Sequence, residues 1–127
     1  MIVSKNIAII AHDQKKRVLA KWVHEAQEKL KRHRIYSTAT TGGILRKKCP
    51  QLDVVVTKSG PLGGDQQIGA MIAEEEIDLL IFFTDPLSPH PHDVDVKALS
   101  RLAVVYDVPM ACSGATADLI AASGYLD

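Results

Sequence analysis

The sequence predicts an α/β fold: a single domain, residues 1–127, with three layers, doubly wound around a mostly parallel five-stranded sheet. Short apolar runs rich in Ile and Val alternate with amphipathic helical patterns from one end of the chain to the other. The runs are continuously apolar rather than alternating, which is the pattern of strands covered on both faces. The length, 127 residues, suits one ordinary domain, and no linker, repeat or low-complexity segment divides it.

The first strand is NIAIIAH, residues 6–12. A helix is expected over Gln14 to Arg32, with Val18, Leu19, Trp22, Val23, Ala26 and Leu30 on its apolar stripe and Lys, Arg, Glu and Gln outside. RIYSTA (34–39) is a weaker strand, and a short helix over Gly42 to Lys48 is stopped by Pro50. LDVVVTK (52–58) is the third strand; Asp65 to Glu75 follows as a helix carrying Ile68, Met71 and Ile72. IDLLIFFT (77–84) is the fourth, followed by a helix over Asp93 to Tyr106. VPMACS (108–113) is the fifth, and Ala115 to Ala122 is a last short helix.

Composition narrows the function. Apolar residues make up 46%, charged residues 24% and aromatics 5%, a globular balance. Fifteen basic residues offset fifteen acidic ones. That lack of a basic field argues against non-specific nucleic-acid binding and leaves little repulsion to oppose self-association. The apolar run near the N-terminus is too short to span a bilayer and has no cleavage-site pattern, so a cytoplasmic protein without membrane attachment is expected. Cys49 and Cys112 stand far from each other and from any Cys/His cluster. They read as buried small apolar residues rather than a disulfide or zinc site.

In an open parallel sheet ligands bind beyond the carboxyl ends of the strands, so the residues just after each run matter most. They are AHDQKK, STATTGG, KSGPLGGDQQ, TDPLSPHPHDVD and CSGATAD. TATTGG has the physics of a phosphate cradle: small hydroxyl residues and glycines admit an anion to backbone N–H groups, and a helix N-terminus behind them adds a favourable dipole. Lys16 adds a point charge, and SGP at 59–61 a second anion nest. Neither the dinucleotide nor the nucleoside-triphosphate glycine motif is present, which leaves a small phosphorylated molecule as the better fit.

Asp65 admits two readings. Asp is a favoured helix N-cap and the Gly-Gly before it is ordinary turn chemistry. Yet it stands at the ligand edge, where Gly63 and Gly64 leave room for a substrate, and a carboxylate beside a bound carbonyl compound can act as general base. DPLSPHPHDVD (85–95) holds three prolines, two histidines and three aspartates. No helical His pairing or closed Cys/His set supports a metal there. It reads as a stiff loop presenting His92, with His90 on the surface. His24 and His33 read as part of a solvated helix face, and Trp22 as core.

AHDQKK, TATTGG, SGPLGGDQQIGA, IDLLIFFTDPL and PHDVDVKALSRLA, in this order and spacing over essentially the whole chain, resemble the methylglyoxal synthase family. The resemblance implies a methylglyoxal synthase-like variant of the Rossmann/flavodoxin-like architecture. It also implies a lyase that converts dihydroxyacetone phosphate to methylglyoxal and inorganic phosphate, with no metal or organic cofactor, usually as a homohexamer. By the same resemblance Asp65 falls on the catalytic aspartate. Substrate contacts fall on His12, Lys16, Thr38, Thr40, Thr41, Ser59, Gly60 and His92, and His92 also takes a catalytic part at the substrate carbonyl. Asp13, Asp85 and Asp95 match aspartates with supporting roles. Two departures stand out. Cys112–Ser113 replaces a common Thr-Asn. The sequence given also ends at Asp127, where some members continue into a tail whose arginine reaches a neighbour's phosphate region, which weakens the expectation of intersubunit phosphate signalling. The fold also resembles the regulatory domain of carbamoyl phosphate synthetase and the cyclohydrolase half of a purine-biosynthesis enzyme. The rival expectation is therefore a non-catalytic module that binds a small phosphate or allosteric ligand.

Overall fold

A computed structural model of the protein describes residues 4–87 and 96–127. Its strands β1 (Asn6–Ala11), β2 (Arg34–Ser37), β3 (Asp53–Val56), β4 (Leu79–Phe83) and β5 (Met110–Ala111) form one sheet in the order β3-β2-β1-β4-β5. Every neighbouring pair is parallel, from Ile7 beside Ile35 and Leu79 to Ile81 beside Ala111. The chain builds outward from β1 to β3, then crosses back to lay β4 on the other side of β1. The direction of winding reverses between β1 and β4, the place where open α/β sheets leave a crevice at their carboxyl edge.

The central strands are apolar, β1 from Ile7 to Ala11 and β4 along its whole length, because helices cover both of their faces, whereas β2 and β3 carry the exposed Arg34 and Asp53 and leave Val55 exposed. Ile7, Ile9 and Ala11 of β1 join Leu79, Ile81 and Phe83 of β4 under one helical layer. That layer is α1 (Lys16–Glu25), α2 (Gln27–Leu30), α3 (Ala39–Lys48) and α6 (Gly114–Ala122), which send in Leu19, Val23, Leu30, Leu45 and Ala117. Ala8, Ile10, Leu80 and Phe82 point the other way, under α4 (Gly64–Ala73) and α5 (Val96–Val105), which supply Ile68, Ile72, Leu99 and Ala103. Each fully buried Ile, Leu or Phe stabilises the fold by roughly 1.5–3 kcal/mol. The edge strand β3 is guarded: Nε and Nη2 of Arg46 both donate to the Val54 carbonyl, at 3.0 and 2.8 Å. That cation deters pairing with another strand. Among the described residues no helix is long and apolar enough to cross a membrane.

Several local expectations are revised. The helix expected over Gln14 to Arg32 begins after a 3₁₀ turn at Asp13–Lys15 and breaks at Ala26. Gln27 Nε2 donates to the His24 carbonyl there, giving a partner to a carbonyl at the break. The helix expected from Gly42 begins at Ala39. Cys49 is buried as expected, and burial pushes its thiol up from its ordinary pKa, but Cys112 is exposed. Trp22 is only partly buried. It packs against the core and donates through Nε1 to Asp118 at 2.8 Å.

His33 is the largest correction. It is not on a solvated face but 2% exposed. Its Nδ1 accepts the Lys5 N–H at 2.9 Å and its Nε2 lies 2.7 Å from the Leu126 carbonyl. A neutral ring protonated on Nε2 satisfies both bonds, and so ties the chain before β1 to the chain after α6. His33→Ala should cost about 2 kcal/mol from the two unsatisfied main-chain groups and the void, lowering Tm by about 5 °C or more. Thermal unfolding followed by circular dichroism measures this; His24→Ala, on the exposed side of α1, should leave Tm unchanged.

Candidate active site

The residues singled out by sequence gather at the carboxyl edge of the sheet. His12 follows β1, Thr38–Thr41 follow β2, Ser59 and Gly60 follow β3, and Asp85 follows β4. His12 and Asp85 meet at the switch point. The Asp85 N–H donates to His12 Nδ1 at 2.9 Å, and the His12 N–H donates to the Phe83 carbonyl at 3.1 Å. His12 is 3% exposed, with its ring edge-on to Phe82 at 4.9 Å. Because Nδ1 accepts a main-chain N–H, the neutral imidazole carries its proton on Nε2, so that nitrogen is a donor. The Asp85 carboxylate is turned to its own loop, where Oδ1 accepts the Leu87 N–H at 3.0 Å.

Thr38, Thr40 and Thr41 belong to the start of α3. Thr38 is the N-cap residue, in extended conformation, and its side chain makes no capping bond. The first turn holds no acidic residue, so the dipole of a ten-residue helix is unopposed there. Of the first-turn donors, Ala39 N–H reaches the Lys58 carbonyl at 3.4 Å, while Thr40 and Thr41 lie where a helix has no internal acceptor to offer. Thr41 is 1% exposed, and its hydroxyl is a buried polar group with no hydrogen-bond partner. Such an orphan is uncommon among buried polar groups and leaves a hydroxyl able to bond a water or a ligand. Thr40 is exposed and Thr38 buried. Gly42 in the same turn lets α3 lie on β3, because a Cβ there would come within 2.7 Å of Val56 Cγ2.

Lys16, at the start of α1, is paired with the Asp13 carboxylate. Asp13 is well exposed and the lysine side chain largely covered, 76% against 16%. The structure therefore places both residues at the tip of β1, with the Lys16 amine against a carboxylate of its own loop.

Asp65 is not the N-cap of α4. Gly63 caps that helix with φ +100°, and Asp65 sits in its first turn. Its half-buried carboxylate makes no hydrogen bond or ion pair with any described residue, and it opens onto a groove of about 340 Å³ between α4 and α5, walled by Gly69, Ala70, Ala73, Ala98, Leu99 and Leu102. The two glycines before it have a structural cause that the sequence reading missed. Gly63 needs a left-handed backbone. A Cβ on Gly64 would fall onto the Lys58 carbonyl oxygen and crowd the Ser59 carbonyl carbon at 3.0 Å. Ser59 and Gly60, half-buried, form a 3₁₀ turn whose carbonyls take the N–H groups of Leu62, Gly63 and Gly64 at 2.8–3.0 Å.

His92 and Asp95 lie outside the described residues, as does His90. Among the described residues no three His, Cys, Asp or Glu side chains gather closely enough to hold a metal ion.

Comparison with known proteins bears on the family and the fold. The family model described as "MGS-like domain" matches residues 18–112. The methylglyoxal synthase of Agrobacterium fabrum (strain C58) is 62% identical over 112 residues, 88% of each chain. That of Oleidesulfovibrio alaskensis is 51% identical over 122 residues, 96% of this chain and 83% of its own. The crystal structure of methylglyoxal synthase from Elizabethkingia anophelis superposes with a TM-score of 0.92 at 49% identity, covering 97% of this chain and 80% of that one.

Two substitutions test the local geometry. Gly64→Ala should strain the turn that joins β3 to α4 and lower Tm by about 5 °C or more. Gly43→Ala, where a Cβ meets nothing within 4 Å, should stabilise α3 by about 0.5–1 kcal/mol. Differential scanning calorimetry of the two proteins reads both signs.

Proposed function

This chain belongs to the methylglyoxal synthase family, and on that premise we propose that it converts dihydroxyacetone phosphate to methylglyoxal and inorganic phosphate at the carboxyl edge of the sheet. The observation that carries the proposal is the pairing of an uncommitted carboxylate with a prepared anion site. Ala39, at the start of α3, and Gly64, the residue before Asp65, both meet the Lys58 carbonyl.

The substrate's phosphate is held by the N-terminus of α3, by the orphaned Thr41 hydroxyl and by the Ser59–Gly60 turn. Its dianion is matched to a helix dipole, and no acidic residue in that first turn opposes it. Asp65 takes a proton from the hydroxymethyl carbon beside the carbonyl. The electron pair passes to the carbonyl oxygen and gives an enediolate. Donors aimed at that oxygen supply much of the acceleration, since they bind charge that exists only as the reaction proceeds. His12, with its proton on Nε2, is one such donor, and His92 is assigned the same duty from the family motif. The hydroxyl on the deprotonated carbon then gives up its proton and becomes the aldehyde. The double bond shifts to the methylene carbon, the carbon–oxygen bond to phosphate breaks, and the enediolate oxygen, protonated, becomes the enol hydroxyl. The resulting enol takes a proton on its methylene carbon and becomes methylglyoxal.

Lys16 contributes positive charge at the phosphate, and Asp13, its ion-pair partner, aims the amine. Asp85 fixes His12 through its main-chain N–H, and Thr38 and Thr40 complete the cradle. Asp95 is kept as a supporting residue from the family motif. The chemistry assigned to these side chains needs no metal or organic cofactor. The reading carries with it a cytoplasmic location, expected from the N-terminal sequence, and a homohexamer, implied by the family resemblance.

Asp65→Asn should lower turnover by about 10²–10⁴-fold, while the protein still binds inorganic phosphate. A colorimetric dicarbonyl assay beside a phosphate-release assay measures this. Phosphate binding by the wild-type chain without dicarbonyl formation would make it a binding module instead. Thr41→Val should weaken phosphate binding about 10-fold in calorimetric titration, by loss of one charge-assisted bond. The same change should leave Tm equal or higher, because the hydroxyl it removes is buried without a partner.

A further inference from the structure

Gln67 lies two residues beyond Asp65 on α4, and its side chain leaves that helix to meet the end of β3. Its Oε1 accepts the Lys58 N–H at 2.8 Å. The peptides flanking Lys58 are unusually engaged. The Lys58 carbonyl accepts the Ala39 N–H that opens α3 at 3.4 Å and the Thr57 hydroxyl at 3.1 Å. The same carbonyl packs against the Cα of Gly64, where no side chain fits. The next residue, Ser59, takes the Gly64 N–H on its carbonyl at 2.8 Å. Lys58 thus meets both helix N-termini, α3 with its threonines and α4 with its aspartate.

We infer that Gln67 is a positioning residue for the reaction: by holding the Lys58 N–H it sets the Ser59–Gly60 turn and the start of α3 at a fixed separation from Asp65. This rests on the reaction proposed above. The bond bridges two elements that share no sheet register, so no strand ladder sets their spacing. Removing it leaves the Gly64 contact and the bonds from the Gly63 and Gly64 N–H groups to the Gly60 and Ser59 carbonyls, but takes away the side-chain tie that fixes the tilt of the Lys58 peptide between α4 and α3. Gln67 and Lys58 are both exposed, so the bond adds little to global stability, where water can replace it. Its effect falls instead on geometry, where a misplacement of about 1 Å can cost about 100-fold in rate. The residue type fits the task. An amide offers the acceptor that the Lys58 N–H needs without adding a second carboxylate to the helix turn that carries the base.

The test compares wild type, Gln67→Leu, Gln67→Ala and Gln67→Glu for methylglyoxal formation, with Tm and titration by inorganic phosphate. Leu and Ala remove the acceptor; both should lower kcat about 10-fold or more, with KM and phosphate affinity changed less than about 3-fold and Tm within about 3 °C. Glu restores the acceptor and should recover kcat to within about 3-fold, with a higher KM because its charge opposes the phosphate. The inference is overturned if the Leu and Ala variants turn over within about 2-fold of wild type. It is also overturned if Glu is as slow as Leu at saturating substrate, or if Leu and Ala both fail to fold, since the residue would then serve stability alone. A wild-type protein that forms no methylglyoxal would contradict the proposed reaction. Normal turnover by the wild type and by every Gln67 variant would contradict this inference only.

Discussion

The site depends on one close approach of main chain to main chain. Where β3 ends, the Lys58 carbonyl lies against the Cα of Gly64, at the first residue of α4. The approach is possible only without a Cβ, and it follows a residue, Gly63, whose positive φ turns the chain sharply from a 3₁₀ turn into the helix. Because the same carbonyl meets the Ala39 N–H, two helix N-termini are drawn to one corner of the sheet edge. One presents threonines and an unopposed dipole. The other presents a carboxylate that does not cap its helix and pairs with no cation among the described residues. A tight turn, required by packing, is thereby also the device that, in the proposed reaction, would set an anion site beside a base.

The second constraint is topological. The sheet reverses its winding between β1 and β4, so the chain ends that follow these two strands are neighbours without being sequential. His12 and Asp85 fill that place, and a main-chain N–H fixes which ring nitrogen of His12 holds the proton. Fixing a tautomer through the backbone does not depend on a side-chain charge. It frees the Asp85 carboxylate to shape its own loop through Leu87. Around both features the two apolar layers are dense and unremarkable, which lets the polar groups collect at one edge.

Much of this was legible in the sequence. Five continuously apolar runs gave five strands, and their lack of alternation gave a sheet with helices on both faces. The polar residues after each run pointed to the carboxyl edge of the sheet, where His12, Thr38–Thr41, Ser59, Gly60 and Asp85 lie. What the sequence hid was set by distant contacts. His33 sits in a run of cations, and nothing local shows that Lys5 and Leu126 enclose it. The helix start at Ala39 was masked by the β-branched threonines, which favour extended chain locally yet serve as cap and first turn once β2 and β3 are paired. Gly63 and Gly64 were visible, but their reason was not, because the Lys58 carbonyl that excludes a side chain comes near only in the fold. The order of the strands likewise needed the crossover after β3 to be seen. His92, so prominent in the motif, was read from the sequence alone.

The most direct measurement is a crystal structure of the protein with a stable mimic of the triose enediolate bound. The account predicts the mimic's phosphate on the Thr40 and Thr41 N–H groups and the Thr41 hydroxyl, with an Asp65 oxygen about 3–3.5 Å from the carbon that loses its proton. A complex in which the phosphate lies elsewhere, or in which the Asp65 carboxylate faces bulk water away from that carbon, would contradict it.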